Sequence, residues 1–366
     1  MDRPVGGRHE TEKVSKVEQA VQGTKHPQPS SSLRVLSHPA PQSLPTVSVI
    51  IPVGPGDEEL VDGVLTSLWH QSYPSDRFEV VVVSNTPAKL ELPDYPGMTV
   101  LVVQEERPGS YAARNTGVNY ASGDVFAFTD TDCVAHPDWL FQGVQPLRFN
   151  ASLIVGGPIQ MFCRTAQPTL AEQYQMLFAF DQRANLRHRR GLPTANLFVR
   201  REVFHGVGPF EARLSSGGDS EWSRRALREG LEWHIESEAL VYHPVRATWK
   251  EIKLQRRRYA SAVSAERRGQ AKLSWISRWA NPLQLAGRIA RATRRQLGAR
   301  QILSLELVSI ALGIYQASWG LRNLFVRSRQ GEGSPTSEVA ELPAGMPTLE
   351  PPDVHPDRSN RAGKAS

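Results

Sequence analysis

The residues best suited to chemistry begin with two aspartates, Asp130 and Asp132, which are separated by a single threonine. They follow directly on an apolar run, residues 125–129, that is typical of a buried strand. Two carboxylates at this position could hold a hard divalent cation, which prefers oxygen ligands and would in turn bridge a diphosphate. The alternative interpretation is a turn that only needs aspartates at the end of a strand.

A second acidic motif, Asp219 with Glu221, lies in the sequence GGDSE at the start of a helix predicted over residues 221–229. A carboxylate just before a helix can face a crevice while the helix holds it in place. The alternative is that Asp219 only caps the helix N-terminus, a role that aspartate fills readily.

The elements that must position these residues are apolar strands that alternate with helices. The predicted strands are residues 47–52, 78–83, 99–103 and 125–129, and the predicted helices cover residues 60–68 and 110–121. This alternation indicates an α/β fold with a mostly parallel sheet covered on both faces. Ligands bind at the carboxyl ends of such strands, so Pro52, Ser84 and Asp130 are predicted to line one crevice.

The stretch RPGSYAARNTGVNYASGDVFAFTDTD, from Arg107 to Asp132, resembles the central signature of family 2 glycosyltransferases, the inverting enzymes of the GT-A fold. Further matching motifs are VSVIIP at Val47, GLPTANLFVRR at Gly191, VGPF at Val207 and GGDSEWSRRALREG at Gly217. The resemblance covers roughly residues 47–244. It implies a GT-A-like nucleotide-diphospho-sugar transferase fold, with a mostly parallel sheet flanked by helices and a basic C-terminal helical extension.

The resemblance also implies a nucleotide-diphosphate-sugar donor and a divalent cation, either Mn²⁺ or Mg²⁺. By similarity, Asp132 would ligate the cation, and Asp130 would contact the cation or the ribose and sugar of the donor. Pro52 and Val53 would line the pocket for the base.

The same resemblance implies roles for three residues near the reacting groups. Asp219 matches the catalytic acidic position, where an inverting transfer needs a general base to take the proton of the acceptor hydroxyl. Glu221 is a second catalytic candidate, unless it binds the acceptor or the helix end. Arg114 matches the Ala-Arg-Asn position and would support the donor pocket or the loop of the two aspartates, unless it only packs its helix.

Two further candidate site residues each have a structural interpretation as well as a functional one. His243 follows a predicted strand and would complete the metal shell or touch the diphosphate; a surface histidine is the alternative. Asn196, with its neighbour Thr194, would approach the donor sugar or the acceptor; the alternative is that both only solvate a loop.

The sequence departs from the family at two loops. The loop after the second strand commonly carries acidic residues that meet the base, but here it reads Ser84-Asn85-Thr86-Pro87. The Asn85 amide is therefore predicted to read the base edge. After Pro52 the chain reads Val-Gly-Pro-Gly, and Asp57 is predicted to replace the acidic residue expected there.

Other features exclude several classes of protein. A dinucleotide fingerprint is incomplete, because Glu59 stands where the third glycine belongs, and no GxxxxGK[ST] phosphate loop occurs. Cys133 and Cys163 are too few for a disulfide framework or a four-cysteine zinc site. The first residues lack an apolar segment, so we expect no secretory signal peptide and a reducing, cytoplasmic setting.

The chain of 366 residues divides by composition into four predicted segments. Residues 1–45 and 329–366 are rich in proline and polar residues and are predicted to be disordered tails. Residues 46–245 form the predicted GT-A domain. Residues 246–328 form a predicted basic, partly apolar helical region close to a membrane.

The composition of this basic region predicts where in the cell the protein is located. Residues 250–300 carry fourteen Lys/Arg and two Glu, whereas the whole chain has a net charge of only +6. Trp275 and Trp279 favour an anionic membrane surface over nucleic acid. The apolar stretch 302–319 could be a core helix, lie on a membrane or cross it. We expect a peripheral position at the inner face of the plasma membrane, with a cell-surface glycan or lipid-linked sugar as acceptor.

Two other functions fit part of the sequence. A nucleotidyltransferase-like enzyme would share a crevice for metal and phosphate, but no glycine-rich basic loop supports it. A non-catalytic protein could use the basic 250–300 region to bind a membrane or nucleic acid, and the acidic motifs would then be dispensable.

Overall fold

The computed structural model describes residues 44–87, 89–164, 167–178, 191–266 and 298–329. The two predicted tails lie almost wholly outside the described residues, as do Trp275, Trp279 and most of the basic segment around them.

A seven-stranded sheet forms the centre of the protein, with strand order β3-β2-β1-β4-β8-β6-β9. Its strands are β1 (Val47–Val53), β2 (Phe78–Ser84), β3 (Thr99–Gln104), β4 (Val125–Phe128), β6 (Leu153–Gly156), β8 (Leu197–Arg200) and β9 (Glu232–Ile235). Strands β1 to β4 pair in parallel, β6 pairs in parallel with β9, and β8 runs antiparallel to both β4 and β6. The predicted mostly parallel sheet is confirmed.

The central strands form because nearly every residue in them is apolar and many are β-branched. All seven residues of β1 are buried, and successive side chains point to opposite faces of the sheet. Val49 and Ile51 join the core on one face, while Ile50 joins the core on the other. A sheet buried on both faces holds its strand ends rigidly, which is what a site at those ends requires.

Helices cover both faces of the sheet. The described helices are α1 (Val61–Trp69), α2 (Ser110–Tyr120), α3 (Trp139–Phe149), α4 (Leu170–Phe178), α5 (Arg201–Val207), α6 (Gly218–Arg228), α7 (Trp249–Glu266) and α8 (Ala299–Arg329), of which α4, α7 and α8 form a separate group. Helix α2 approaches β1 closely at Gly117, where an added Cβ would lie 2.6 Å from the side chain of Ile50. Helix α6 begins at Gly218, three residues before the predicted start, so Asp219 lies inside its first turn.

A smaller sheet of three strands lies beside the main one. It consists of β5 (Val134–Ala135), β10 (Val241–Pro244) and β7 (Ile159–Phe162), in the order β5-β10-β7. Because β5 follows the Asp130–Asp132 motif almost directly, its pairing with β10 brings a distant part of the chain to the end of β4.

The described part of the C-terminal region consists of α7 and α8, which pack together with α4. Their shared apolar cluster includes Tyr174, Ile252, Leu305 and Leu312. Large apolar side chains of α8 are exposed at positions three and four residues apart: Leu303, Leu307, Ile310 and Ile314. Among the described helices, none combines the length and the apolarity that crossing a membrane would require.

Candidate active site

The turn after β4 positions the two aspartates of the first acidic motif. The Thr129 hydroxyl donates to the carbonyl of Ala195 at 3.2 Å, and the Cys133 N–H donates to the carbonyl of Asp130 at 3.2 Å. These bonds fix both ends of the turn, while Asp130 and Asp132 keep 30% of their side-chain surface exposed. The two carboxylates are therefore held in place and remain open to a ligand.

Arg114 lies against the first of these aspartates. Its side chain is 5% exposed, and its Nη2 donates to Asp130 Oδ1. Arg114 Cζ also lies 5.5 Å from the ring centroid of Tyr111. The predicted support of the acidic loop by Arg114 agrees with this contact, which places a permanent positive charge beside Asp130.

His243 reaches the second aspartate from β10. Its Nε2 lies 3.4 Å from Asp132 Oδ2, and its Nδ1 lies 2.7 Å from the carbonyl oxygen of Pro244. Because a carbonyl only accepts, Nδ1 carries the hydrogen in this bond, and Nε2 is the ring nitrogen that faces Asp132. Metal-ligating histidines commonly donate from one ring nitrogen to a backbone carbonyl while the other ring nitrogen faces the metal site, and His243 has this orientation.

Four side chains meet at this point: Asp130, Asp132, Cys133 and His243, whose potential ligand atoms all lie within 4.8 Å of one another. Two carboxylates with an imidazole fit a divalent cation such as Mn²⁺. The structure thus brings together the three residues predicted as metal ligands. Burial, with the charges of Asp132 and Asp130, raises the pKa of the Cys133 thiol well above its usual range, so this group remains protonated.

The end of β1 lies within electrostatic reach of the same cluster. Pro52 and Val53 are buried as the last residues of β1, and Asp57 follows in a half-buried turn. Burial, together with the charges of Asp132 and Asp130, raises the pKa of Asp57 to about 6. Asp57 is therefore close enough to feel the charges of both aspartates, and its predicted contact with the donor stays a prediction.

The second acidic motif belongs to the first turn of α6. Gly217 precedes the helix in a left-handed conformation with φ of 77°, which glycine adopts without strain. Asp219 is half-buried, and its Oδ1 accepts from the N–H of Ser220 at 2.7 Å and from the hydroxyl of Tyr111 at 3.4 Å. Gly217, and not Asp219, is the N-cap residue, so the capping alternative does not hold.

The surroundings of Asp219 shift its acidity upwards. Burial raises the pKa of Asp219 above its usual range, and the charge of Asp130 adds to this effect. The Ser220 N–H, the Arg114 charge and the Tyr111 hydroxyl oppose it. A carboxylate with a raised pKa holds a proton more readily, which suits a group that must accept one during a reaction.

Glu221 is engaged elsewhere on the same helix. Its carboxylate accepts two bonds from Arg225, at 2.7 and 3.1 Å. Arg225 also donates to the carbonyls of Val207 and Pro209, at 2.7 and 2.6 Å. The structure thus binds Glu221 to the loop that precedes α6, and its predicted catalytic role stays a prediction.

The side-chain amides of Asn85 and Asn196, which are predicted to bind the donor, make hydrogen bonds within the protein. The Asn85 side-chain nitrogen donates to the carbonyls of Glu105 and Arg107, at 2.7 and 3.0 Å. Asn196 is fully buried; its nitrogen donates to the carbonyls of Pro158 and Ala239, at 3.0 and 2.8 Å. Its oxygen accepts from the Trp139 indole at 2.9 Å. Donor contacts by either amide stay predictions.

The sequence alone did not single out Tyr111, Cys133 or Arg246 as site residues. Cys133 directly follows Asp132 in the sequence, and this position is the signal that could have identified it. Tyr111 lies within the recognised stretch, but its contact with Asp219 depends on the packing of α2 against α6. No local pattern marks Arg246, which follows β10 by two residues and feels the charges of Asp132 and Asp130.

Comparison with known proteins agrees with this geometry. The model of glycosyl transferase family 2 matches residues 48–208. Glycosyltransferase AglE of Haloferax volcanii is 36% identical over 220 residues, which cover 58% of this chain and 71% of AglE. These matches show that the chain belongs to glycosyltransferase family 2, which decides against the nucleotidyltransferase and non-catalytic alternatives.

Two further proteins extend the comparison. A glucosyl-dolichyl phosphate glucuronosyltransferase of Haloferax volcanii is 29% identical over 125 residues, which cover 33% of this chain and 40% of that protein. The structure of the mannosyltransferase PcManGT from Pyrobaculum calidifontis, in complex with GDP-Man and Mn²⁺, aligns with a TM-score of 0.51 at 18% identity, covering 87% of this chain and 95% of that one. This likeness concerns the fold, and the predicted GT-A architecture is confirmed.

Proposed function

We propose that this glycosyltransferase uses a divalent cation to transfer a sugar, with inversion, from a nucleotide-diphosphate-sugar donor to an acceptor hydroxyl. One observation carries the proposal: the cluster of Asp130, Asp132 and His243 is linked through Arg114 and Tyr111 to the half-buried carboxylate of Asp219. One crevice thus contains a cation site for a leaving diphosphate and a carboxylate for an incoming hydroxyl.

The cation assigned to this site is Mn²⁺. The carboxylates suit both Mg²⁺ and Mn²⁺, and the imidazole of His243 favours the transition metal. The fold relative PcManGT contains GDP-Man and Mn²⁺, which supports a donor and a cation of these classes. When bound, the cation neutralises the negative charge that builds up on the departing diphosphate.

Asp219 acts as the general base. It takes the proton from the acceptor hydroxyl as the hydroxyl oxygen bonds to the anomeric carbon, and the bond between that carbon and the diphosphate oxygen breaks. The electron pair of the broken bond leaves with the nucleoside diphosphate. A single displacement of this kind inverts the anomeric configuration and forms no covalent sugar–enzyme intermediate.

The proposed acceptor is a glycan or a lipid-linked sugar, used by an enzyme that lies on the cytoplasmic face of the cell membrane. The name of the Haloferax volcanii glucuronosyltransferase contains a dolichyl phosphate, which supports an acceptor on a lipid. Leu303, Leu307, Ile310 and Ile314 are exposed at spacings that place them along one side of α8. Such a stripe, which follows a segment rich in basic residues in the sequence, suits shallow binding to an anionic bilayer.

The membrane part is tested by cosedimentation with vesicles of phosphatidylcholine, with and without phosphatidylglycerol. We expect the wild type to sediment with the anionic vesicles and a Leu307→Gln/Ile314→Gln variant to remain in solution. Phe149→Gln, which changes a 70% exposed apolar residue on α3, is the matched control and should behave as the wild type. A wild type that ignores both kinds of vesicle would refute this part.

The donor site is tested by calorimetric titration of UDP, GDP, CDP, ADP and dTDP, each with and without Mn²⁺. We expect one of them to bind the wild type only with Mn²⁺ and to lose binding in Asp132→Ala. Asp76→Ala is the control, since Asp76 is exposed and precedes β2 at the other end of that strand. Absence of Mn²⁺-dependent binding to all five would contradict the proposed mechanism.

A further inference from the structure

Arg246 is a half-buried arginine three residues after His243. It lies two residues after β10, and its Nη1 atom is buried without a hydrogen-bond partner among the described residues. No ion pair joins it to any carboxylate in the part of the chain that the structure describes. Arg114, the other arginine of the crevice, has a charged partner in Asp130.

The chain on both sides of Arg246 is held in place. The N–H of Val245 donates to the carbonyl of Phe162 at 2.9 Å, which continues the pairing of β10 with β7. The N–H of Ala247 donates to the carboxylate of Glu251 at 3.1 Å. The guanidinium is therefore carried by an anchored backbone, three residues after His243.

The charges that act on Arg246 come from the metal crevice and from α7. Asp132 and Asp130 attract it, as does Glu251, while Arg258 repels it. Glu251 already accepts the N–H of Ala247, and the largest attraction on Arg246 comes from Asp132 of the acidic cluster. Burial lowers the pKa of the Arg246 guanidinium, yet an arginine starts from so high a value that it stays charged at neutral pH.

A buried cation without a partner is costly, and a bound anion removes that cost. A cation at the acidic cluster would neutralise the aspartates that now attract Arg246, which leaves the guanidinium free to pair with a second anion there. The planar fork of an arginine matches phosphate oxygens with two parallel hydrogen bonds.

We propose that Arg246 binds the diphosphate of the donor next to the cation held by Asp132 and His243. The identity of the ligand rests on the proposed function. Arg246 then shares with the cation the charge of the departing nucleoside diphosphate, and it favours diphosphates over monophosphates because they offer more negative oxygens.

The test uses calorimetry with the nucleoside diphosphate that binds the wild type, and with its monophosphate, at saturating Mn²⁺. In Arg246→Gln we expect the affinity for the diphosphate to fall roughly ten- to a hundredfold, as for loss of a charge-assisted phosphate contact, and that for the monophosphate to fall less. Arg246→Lys should recover part of the difference. Arg213→Gln, which removes an exposed arginine paired with Glu211, is the matched control.

A ratio of diphosphate to monophosphate affinity in Arg246→Gln equal to that of the wild type would overturn this inference and leave the proposed function standing. A wild type that binds no nucleoside diphosphate with Mn²⁺ would instead overturn the proposed function. If the glutamine variant does not fold, the lysine variant decides: a lowered ratio supports the contact, and an unchanged ratio refutes it.

Discussion

The turn after β4 and the first turn of α6 both present half-buried aspartates to the same crevice, but they surround them differently. Asp130 has a buried arginine against it, and Asp132 has an imidazole 3.4 Å away. Asp219 has no ion-pair partner within the described residues and accepts from a backbone N–H and a tyrosine hydroxyl. Asp130 and Asp132 are thus each in contact with an arginine or a histidine, whereas among the described residues Asp219 itself has neither in direct contact.

Because their surroundings differ, these carboxylates are suited to different roles. Carboxylates gathered around a shared point and flanked by cationic or metal-ligating side chains are suited to hold a cation. A carboxylate whose pKa is raised by burial is suited to take up a proton. The side-chain environment, and not the residue type, separates the cation site from the proposed base.

The largest expected effect comes from removing the cation site. Asp132→Ala should lower the rate of sugar transfer by roughly 10⁴-fold, because a metal ion contributes several kcal/mol to the stabilisation of developing charge. The measurement is release of nucleoside diphosphate from the donor at fixed Mn²⁺. If Asp132→Ala keeps more than a tenth of the wild-type rate, Asp132 does not hold a cation that transfer requires.

The next largest effect is expected from replacing Asp219, the proposed base, by an amide of the same shape. Asp219→Asn should lower the rate by about 10³-fold, the order expected for loss of general base catalysis. The circular dichroism melting curve should stay close to that of the wild type, since the amide oxygen can still accept the Ser220 N–H. A near-normal rate would show that another group takes the proton.

The raised pKa of Asp219 predicts how the rate responds to pH. A base must be unprotonated to act, so the rate should fall on acidification at a higher pH than for an aspartate with an ordinary pKa. The measurement is kcat/KM against pH, with a control profile for the residual activity of Asp219→Asn. If the fall of kcat/KM at acidic pH persists unchanged in Asp219→Asn, a different group is responsible for it.

The smallest effect is expected at Glu221. Glu221→Gln should change the rate less than about threefold and destabilise the protein by about 0.5 kcal/mol, the usual value for a partly exposed ion pair one helical turn apart. Rate and thermal denaturation are measured together. A hundredfold loss of rate with little loss of stability would make Glu221 the base and reverse the roles within α6.

The sequence predicted the parallel strands and the ends at which the first motif lies, because buried strands and their following turns are local patterns. It also predicted Asp132 and Asp219 through ordered motifs. The sequence did not decide whether His243 contacts Asp132. That contact depends on a short three-stranded sheet whose strands come from three separate parts of the chain.

Other features could not be predicted from the sequence either, because they depend on contacts and conformations that local sequence patterns do not reveal. The start of α6 at Gly218 depends on the left-handed Gly217, and propensity alone does not reveal which glycine adopts that conformation. The hydrogen bonds of Asn196 join loops that are distant in sequence, so a polar residue before a strand gave no sign of them. Arg246 likewise owes its position to the pairing of β10.

We propose that the first acidic motif binds the donor and the second accepts a proton, and one calorimetric experiment tests this division of roles most directly. The Mn²⁺-dependent dissociation constant of the selected nucleoside diphosphate is measured for the wild type, Asp132→Ala and Asp219→Asn. The predicted result is binding by Asp219→Asn within about threefold of the wild type and no detectable binding by Asp132→Ala. Equal loss of binding in both variants, or in neither, would contradict this division of roles.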